Sequence, residues 1–311
     1  MPTDYEKSKK QEADAARSFV RYEKHGNIGH IILDEADYLN PWSDKMAVDF
    51  DKAMNEPEED DDIKVVIIKG AGRAFSAGAD LRQVYERYGG KKDVSRRPSQ
   101  RSRLKIDRYR LAEKQRRVLL FPKVTIAQIH GYCIGLGTYI AYCCDLLYAE
   151  ETTMIGHTEQ RLGFSGTCGV FPILCARVGL TRAMDLMLPG KLITGKEAEQ
   201  IGLITRATPV GKLEEVVEMR AREVALLPRD GIAIGKATRH IEFERMGLLA
   251  AFGEGYVMHS YFTNLRWEPD EYNFVRERSS KGTRQAFKDR DQLWGGVTLR
   301  SDALARGEVE E

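Results

Sequence analysis

Short apolar runs alternate with longer stretches of helical period along most of the chain. Residues 19–23 and 28–33 are strand-like and are separated by His25-Gly26-Asn27, a hairpin signal. Residues 64–69 (KVVIIK) and 124–129 (VTIAQI) are apolar runs rich in β-branched residues, the pattern of buried strands. Between the first pair and the second, Ser43 is placed to cap a helix over 44–54, and the acidic run 58–62 reads as a solvated loop. Residues 104–120 have the spacing of a helix with Leu111 and Val118 facing inward. From Thr138, the positions Ile140, Ala141, Cys144 and Leu147 recur at helical spacing. A strand over 152–155 follows, then helices over 169–178 and over 181–188, the latter capped by Thr181. Thr194 and Glu197 form a capping box for the next helix, which Gly202 ends. A strand over 203–207 and an amphipathic helix over 213–227 complete this part. From Gly231 to about residue 290 the pattern is helical, with a break at Trp267-Glu268-Pro269.

Strands alternating with helices and then a purely helical end predict an α/β fold with a C-terminal helical domain. The expected divisions are a tail over 1–18, a core over 19–230, a helical segment over 231–290 and a second tail over 291–311.

Composition narrows the class without naming it. The 311 residues are 42% hydrophobic and 31% charged, which suits a soluble protein with a sizeable core. A net charge of +1 points to neither a nucleic-acid nor a membrane partner. No apolar run has spanning length, and the first residues are charged throughout, so neither a membrane span nor a signal peptide is expected. Five cysteines without paired spacing argue against a disulfide framework and against zinc. They read as reduced core thiols in a cytoplasmic protein. One local departure from the even charge balance lies over 82–117, where Arg87, Lys91, Lys92, Arg96, Arg97, Arg101, Arg103, Lys105, Arg108 and Arg110 gather. This stretch is either a phosphate-binding flap or a solvated surface loop.

The candidate chemistry lies at two turns. Strand 124–129 runs into Gly135-Leu136-Gly137 and then a helix, which leaves backbone N–H groups unpaired at the helix start. Strand 64–69 runs into Ser76-Ala77-Gly78-Ala79, where glycine permits close approach of a ligand. The N–H groups of Ala77 and Leu136, converging on one oxygen, would make an oxyanion hole. Glu159 is an isolated carboxylate among apolar and small residues. A hole and a carboxylate are the parts of a site that makes and protonates an enolate. His157, two residues earlier, shares a face with Glu159 in extended chain and either relays protons or lines the pocket. His259 and Tyr256, on the C-terminal helices, are further candidates for the pocket wall.

Phe75-Ser76-Ala77-Gly78-Ala79-Asp80-Leu81 and His130-Gly131-Tyr132-Cys133-Ile134-Gly135-Leu136-Gly137, followed by Cys144-Asp145 and Glu159-Gln160-Arg161-Leu162-Gly163, resemble the crotonase superfamily, the enoyl-CoA hydratase and isomerase family. The likeness runs from about residue 19 to 289. It implies a spiral of ββα units with a C-terminal helical domain, assembled as a homotrimer or a dimer of trimers. It also implies an acyl-CoA thioester as substrate, with coenzyme A entering only as part of that substrate and with no metal. Ala77, Leu136, Glu159 and Tyr139 are then the catalytic set. Ser76, Gly78, Asp80, Gly135, Gly137 and His157 border the substrate. Separately from the resemblance, charge clustering in a chain of near-zero net charge leads to the expectation that Lys281, Arg284 and, if it is a flap, the stretch from Arg87 to Arg110 bind the CoA phosphates.

The chain departs from the family pattern at Tyr139, where the hydratases carry a second glutamate. Two-glutamate hydration needs both carboxylates, whereas one carboxylate suffices to move a proton between carbons. The resemblance therefore implies an enoyl-CoA isomerase or hydratase with Glu159 as proton carrier. A C–C hydrolase or lyase acting on a β-dicarbonyl substrate, and a non-catalytic subunit, are the competing readings.

Overall fold

The computed structural model of the chain describes residues 17–83, 99–162, 169–261 and 267–305. Among the described residues, nine strands form two sheets. The larger has the order β1-β2-β3-β4-β6-β9 and the smaller β5-β7-β8. Strands β1 (Val20–His25) and β2 (Ile28–Leu33) are an antiparallel hairpin. From β2 onward the large sheet is parallel, through β3 (Val65–Gly70), β4 (Val124–Ile129), β6 (Leu146–Glu150) and β9 (Arg206–Thr208).

The chain climbs in steps from one sheet to the other. After β4 it turns at Gly131 and enters the small sheet as β5 (Tyr132–Ile134); after β6 it enters again as β7 (Met154–Gly156), which pairs with β8 (Leu192–Thr194). After β3 the same step is reduced to one bridge, Ser76 to Cys133. These stacked steps are the predicted spiral. They bring the turn after β3 directly against the turn after β5, although the two are some sixty positions apart in sequence.

The large sheet is covered on both faces. Helix α1 (Asp44–Glu59) buries Met46, Phe50 and Met54 in the main core. Its cap is as predicted, with the Met46 N–H donating to Ser43 Oγ at 3.0 Å. The helix runs past the predicted end through a buried Pro57, so the acidic run begins inside it. Next comes α2 (Gln100–Ile106), a π-helical turn (Asp107–Ala112) and α3 (Glu113–Leu119), where one uninterrupted helix was expected. Helix α4 (Leu136–Ala141) is also shorter than its apolar period suggested: Leu147 belongs to β6.

Helices α5 (Val170–Val178) and α6 (Leu180–Met187) meet at Gly179, which occupies the cap position predicted for Thr181. The capping box of α7 (Gly195–Gln200) is present, with Thr194 N–H to Glu197 Oε2 at 2.7 Å and Glu197 N–H to Thr194 Oγ1 at 3.2 Å. Helix α8 (Leu213–Ala225) covers the opposite sheet face with Leu213, Val217 and Ala221 against Val65, Ile67 and Ile126.

The C-terminal helical segment contains α9 (Arg229–Arg245), α10 (Leu248–Tyr261), α11 (Phe274–Lys281) and α12 (Thr283–Ala305). A tail was expected from residue 291, yet α12 continues through it to Ala305. Helix α9 is pinned to the core by Lys236, whose ammonium lies 2.6 and 2.7 Å from the two carboxylate oxygens of Asp145. Asp145 also receives the Thr125 N–H at 2.8 Å, so this pair joins helix, turn and sheet. Leu248 and Phe252 of α10 are buried within this chain, and Leu249 and Tyr256 pack against the same core.

Candidate active site

The two glycine turns are in contact. A Cβ on Gly78 (φ 93°) would lie 2.7 Å from Ile134 O and 3.5 Å from Leu136 N, and one on Gly137 would lie 2.9 Å from Ser76 Cβ. Only glycine permits that approach at either position. The Ser76 hydroxyl fastens the first turn, donating to Asn40 O at 2.8 Å and accepting the Gly78 N–H at 3.2 Å. Ser76, Gly78 and Gly137 therefore weld the turns together and do not line the cavity beside them.

The donors on the first turn are arranged differently from the sequence expectation. The Ala77 N–H donates to Leu39 O at 2.9 Å and is committed to the loop before α1. Trp42 forms a parallel bridge with Ala79, through Trp42 N–H to Gly78 O at 2.7 Å and Asp80 N–H to Trp42 O at 3.3 Å. In such a bridge the N–H of the central residue points away from its partner strand. Ala79 lines the cavity and has its N–H directed away from Trp42 and outside this bridge. Glycine spacing alone could not show which residue of the turn bonds the neighbouring loop.

On the second turn, Gly135 has φ 53° and ψ −121°, and its N–H donates to Gly156 O at 3.0 Å. Leu136 starts α4 and lines the cavity. The N–H groups of Thr138 and Tyr139 return to Gly135 O at 2.9 and 3.3 Å.

Glu159 begins a short 3-10 turn (Glu159–Leu162) just after β7. It folds over Gly135, where a Cβ would meet its Oε1 at 2.8 Å. Part of the residue touches solvent, but both carboxylate oxygens are inaccessible and neither has a partner with full hydrogen-bond geometry. Burial pushes the Glu159 carboxyl up to about 7. Its own N–H, the nearby Tyr139 hydroxyl and His259 pull in the opposite direction. At neutral pH such a group both accepts and returns protons.

Tyr139 is buried and shares the cavity wall with Glu159. His157 stands behind it, with ring centroids 5.8 Å apart, and contacts Thr138 Oγ1 at 3.3 Å. It is outside the cavity lining, and burial lowers its pKa to about 3, so it is a neutral residue packed behind the wall. Asp80 lines the cavity but is held by Arg82, through Nε at 2.8 Å and the Arg82 N–H at 2.9 Å. Lys281 is not one of the lining residues and is paired with Glu277 at 2.8 Å and Asp289 at 2.9 Å.

Within the basic stretch, Arg87, Lys91, Lys92, Arg96 and Arg97 lie outside the described residues, as does Gly163. Of the rest, Arg103 is buried and donates to Ser260 O at 3.5 Å, and Arg110 donates to Asp44 O at 2.5 Å. His130 ties its turn to the loop after β3, with Nε2 2.9 Å from Gly72 O.

The opposite wall holds a residue that the sequence did not single out. Asp107, the first residue of the π-helical turn, lines the cavity with its side chain fully buried, and its Oδ2 is 3.1 Å from Nδ1 of His259 on α10. Its one signal was an acid at an inward position of an otherwise helical period. Among the described residues no cluster of His, Cys, Asp or Glu could hold a metal ion, and no helix is long and apolar enough to cross a membrane.

A spiral of sheet steps, two welded glycine turns and a buried carboxylate between them place the chain among proteins of the crotonase fold. A crystal structure of an enoyl-CoA hydratase from Mycobacterium smegmatis superposes with a TM-score of 0.77 at 22% identity, over 94% of this chain and 97% of that one. The chain belongs to the enoyl-CoA hydratase/isomerase family, whose profile matches residues 23–279. A Thermus thermophilus relative, provisionally named an enoyl-CoA hydratase, is 34% identical over 206 residues, 66% of this chain and 77% of the relative. The peroxisomal Delta(3,5)-Delta(2,4)-dienoyl-CoA isomerase of Arabidopsis thaliana is 29% identical over 198 residues, 60% of this chain and 67% of the relative.

Proposed function

We propose that this protein transfers protons at the carbon next to the carbonyl of an enoyl-CoA thioester. The N–H groups of Ala79 and Leu136 hold the thioester oxygen, and Glu159 is the proton carrier. The observation that carries this reading is the Glu159 carboxylate buried against Gly135, the residue directly before Leu136. Glu159 takes a proton from C2. The C–H electron pair moves into the C1–C2 bond, and charge develops on the thioester oxygen. Fixed N–H donors and the start of α4 stabilise that charge more than they stabilise the ground-state carbonyl. Return of the proton to C4 of a 3-enoyl thioester gives the 2-enoyl isomer, and one carboxylate suffices for both transfers.

The test is to assay matched 2-enoyl and 3-enoyl thioesters with Glu159→Gln. Turnover should fall by about 100-fold or more. Thioester affinity should persist, because the oxygen is held by backbone. Loss of affinity with turnover per bound substrate retained would contradict the assignment.

Assembly as a homotrimer or dimer of trimers belongs to the same reading. Its support is that Val257, Met258 and Tyr261 of α10 remain exposed, whereas Leu248 and Phe252 are buried within this chain. Sedimentation as a monomer at micromolar concentration would contradict it.

A further inference from the structure

The cavity holds more acid–base equipment than a one-carboxylate isomerase uses. We propose that His259, held by Asp107, is a second proton-transfer group of this cavity and activates water for addition to the double bond of a 2-enoyl thioester. The proposal rests on the reading of Glu159 given above.

Three observations support it. First, His259 and Asp107 come from separate elements, α10 and the π-helical turn, and both line the cavity that Glu159 and Tyr139 line. Second, the pair is graded from buried to accessible. The Asp107 side chain has no exposed surface, whereas that of His259 keeps 18%, and Nδ1 stands 3.1 Å from Asp107 Oδ2. The contact is an ion-pair distance without full hydrogen-bond geometry; a buried carboxylate beside Nδ1 favours a proton on that nitrogen and leaves Nε2 as the base. Third, the helix changes to π geometry at Asp107, and such turns are frequent at functional sites.

Tyr139 makes a second base necessary for hydration. A phenol with an ordinary pKa of about 10 is a poor base for water at neutral pH. The charged groups around His259 are Asp107 on the π turn, Arg110 at the same cavity wall, Arg103 of α2 against Ser260 O, and Glu159. Glu159 is close enough for His259 to lower its pKa.

The step balances as follows. The water oxygen bonds to C3 while His259 takes one of its protons. The C2=C3 pair shifts into the C1–C2 bond, and charge collects on the thioester oxygen. Protonated Glu159 then delivers its proton to C2, and the carbonyl re-forms. The product is a 3-hydroxyacyl thioester. Transfer of the imidazolium proton to the Glu159 carboxylate resets the site.

Two reactions separate the dyad from the carboxylate. Exchange of the C2 hydrogens of butyryl-CoA in D2O, followed by NMR, needs only Glu159 and the N–H donors. Hydration of 2-butenoyl-CoA also needs the base. His259→Gln should lower hydration by about 100-fold or more, at least about tenfold more than it lowers exchange at the pH optimum of each protein. Asp107→Asn should lower hydration by at least about tenfold and again more than it lowers exchange, since it acts through the histidine. The retained exchange shows that the variants are folded. Hydration by His259→Gln within about threefold of the parent, a parallel loss of both reactions, or a parent protein that exchanges C2 without hydrating would each overturn the dyad. Retained exchange in Glu159→Gln would instead overturn the proton-carrier reading beneath it.

Discussion

The carboxylate of Glu159 rests on the bare Cα of Gly135, so closely that a methyl group there would stand 2.8 Å from Oε1. Gly135 is also the residue whose unusual backbone, at φ 53° and ψ −121°, opens α4 and aims the N–H of Leu136. In the proposed reaction, one glycine thus sets both the charge-stabilising donor and the seat of the proton carrier.

Gly135→Ala therefore strains the turn and displaces the carboxylate at once. Backbone strain of this kind costs on the order of 1–3 kcal/mol. An ångström of displacement in a reacting group costs about 100-fold in rate. Chemical denaturation and thioester turnover should both fall in this variant. Loss of stability with turnover intact would separate the turn from the chemistry.

Tyr139→Phe acts on the same carboxylate from the other side. The phenol holds the Glu159 pKa down, so its removal raises that pKa further above about 7. The rate limb that requires ionised Glu159 should move to higher pH, with larger losses at pH 6 than at pH 9. A pH–rate profile superimposable on that of the parent would show that the hydroxyl does not reach the carboxylate.

Stability should carry the mark of the same group. The folded-state pKa of Glu159 is about 7 against an ordinary 4.5, so the folded state binds the proton more tightly than the unfolded chain. The associated stability is fully present below pH 4.5 and is lost as pH rises through about 7. The full swing is about 3 kcal/mol. Glu159→Gln removes it. The variant should gain on the parent by up to about 3 kcal/mol between pH 4 and pH 8 in guanidinium titrations. A constant difference across that range would mean the carboxylate is not desolvated.

Much of this was legible in the sequence. Strands β2 to β4, the Ser43 cap and the Thr194–Glu197 box appear at or within a few residues of their predicted places, because apolar period and cap chemistry are local signals. The glycine turns and Glu159 were found for the same reason. What could not be read was set by distant contacts. Ala77 and Ala79 are equivalent small residues until Leu39 and Trp42 are known to pair across the turn. Asp107 falls in a helical period that gives no sign of a π turn or of a histidine 152 positions later. The end of α12 was missed because Gly295-Gly296 reads as a breaker.

The central claim is that one buried carboxylate moves a proton at the carbon beside a thioester. Deuterium incorporation at C2 of butyryl-CoA, compared between the parent protein and Glu159→Gln at equal substrate occupancy, tests it most directly. The account predicts exchange by the parent and a loss of about 100-fold or more in the variant, with the thioester still bound. Equal exchange rates in the two proteins would contradict it.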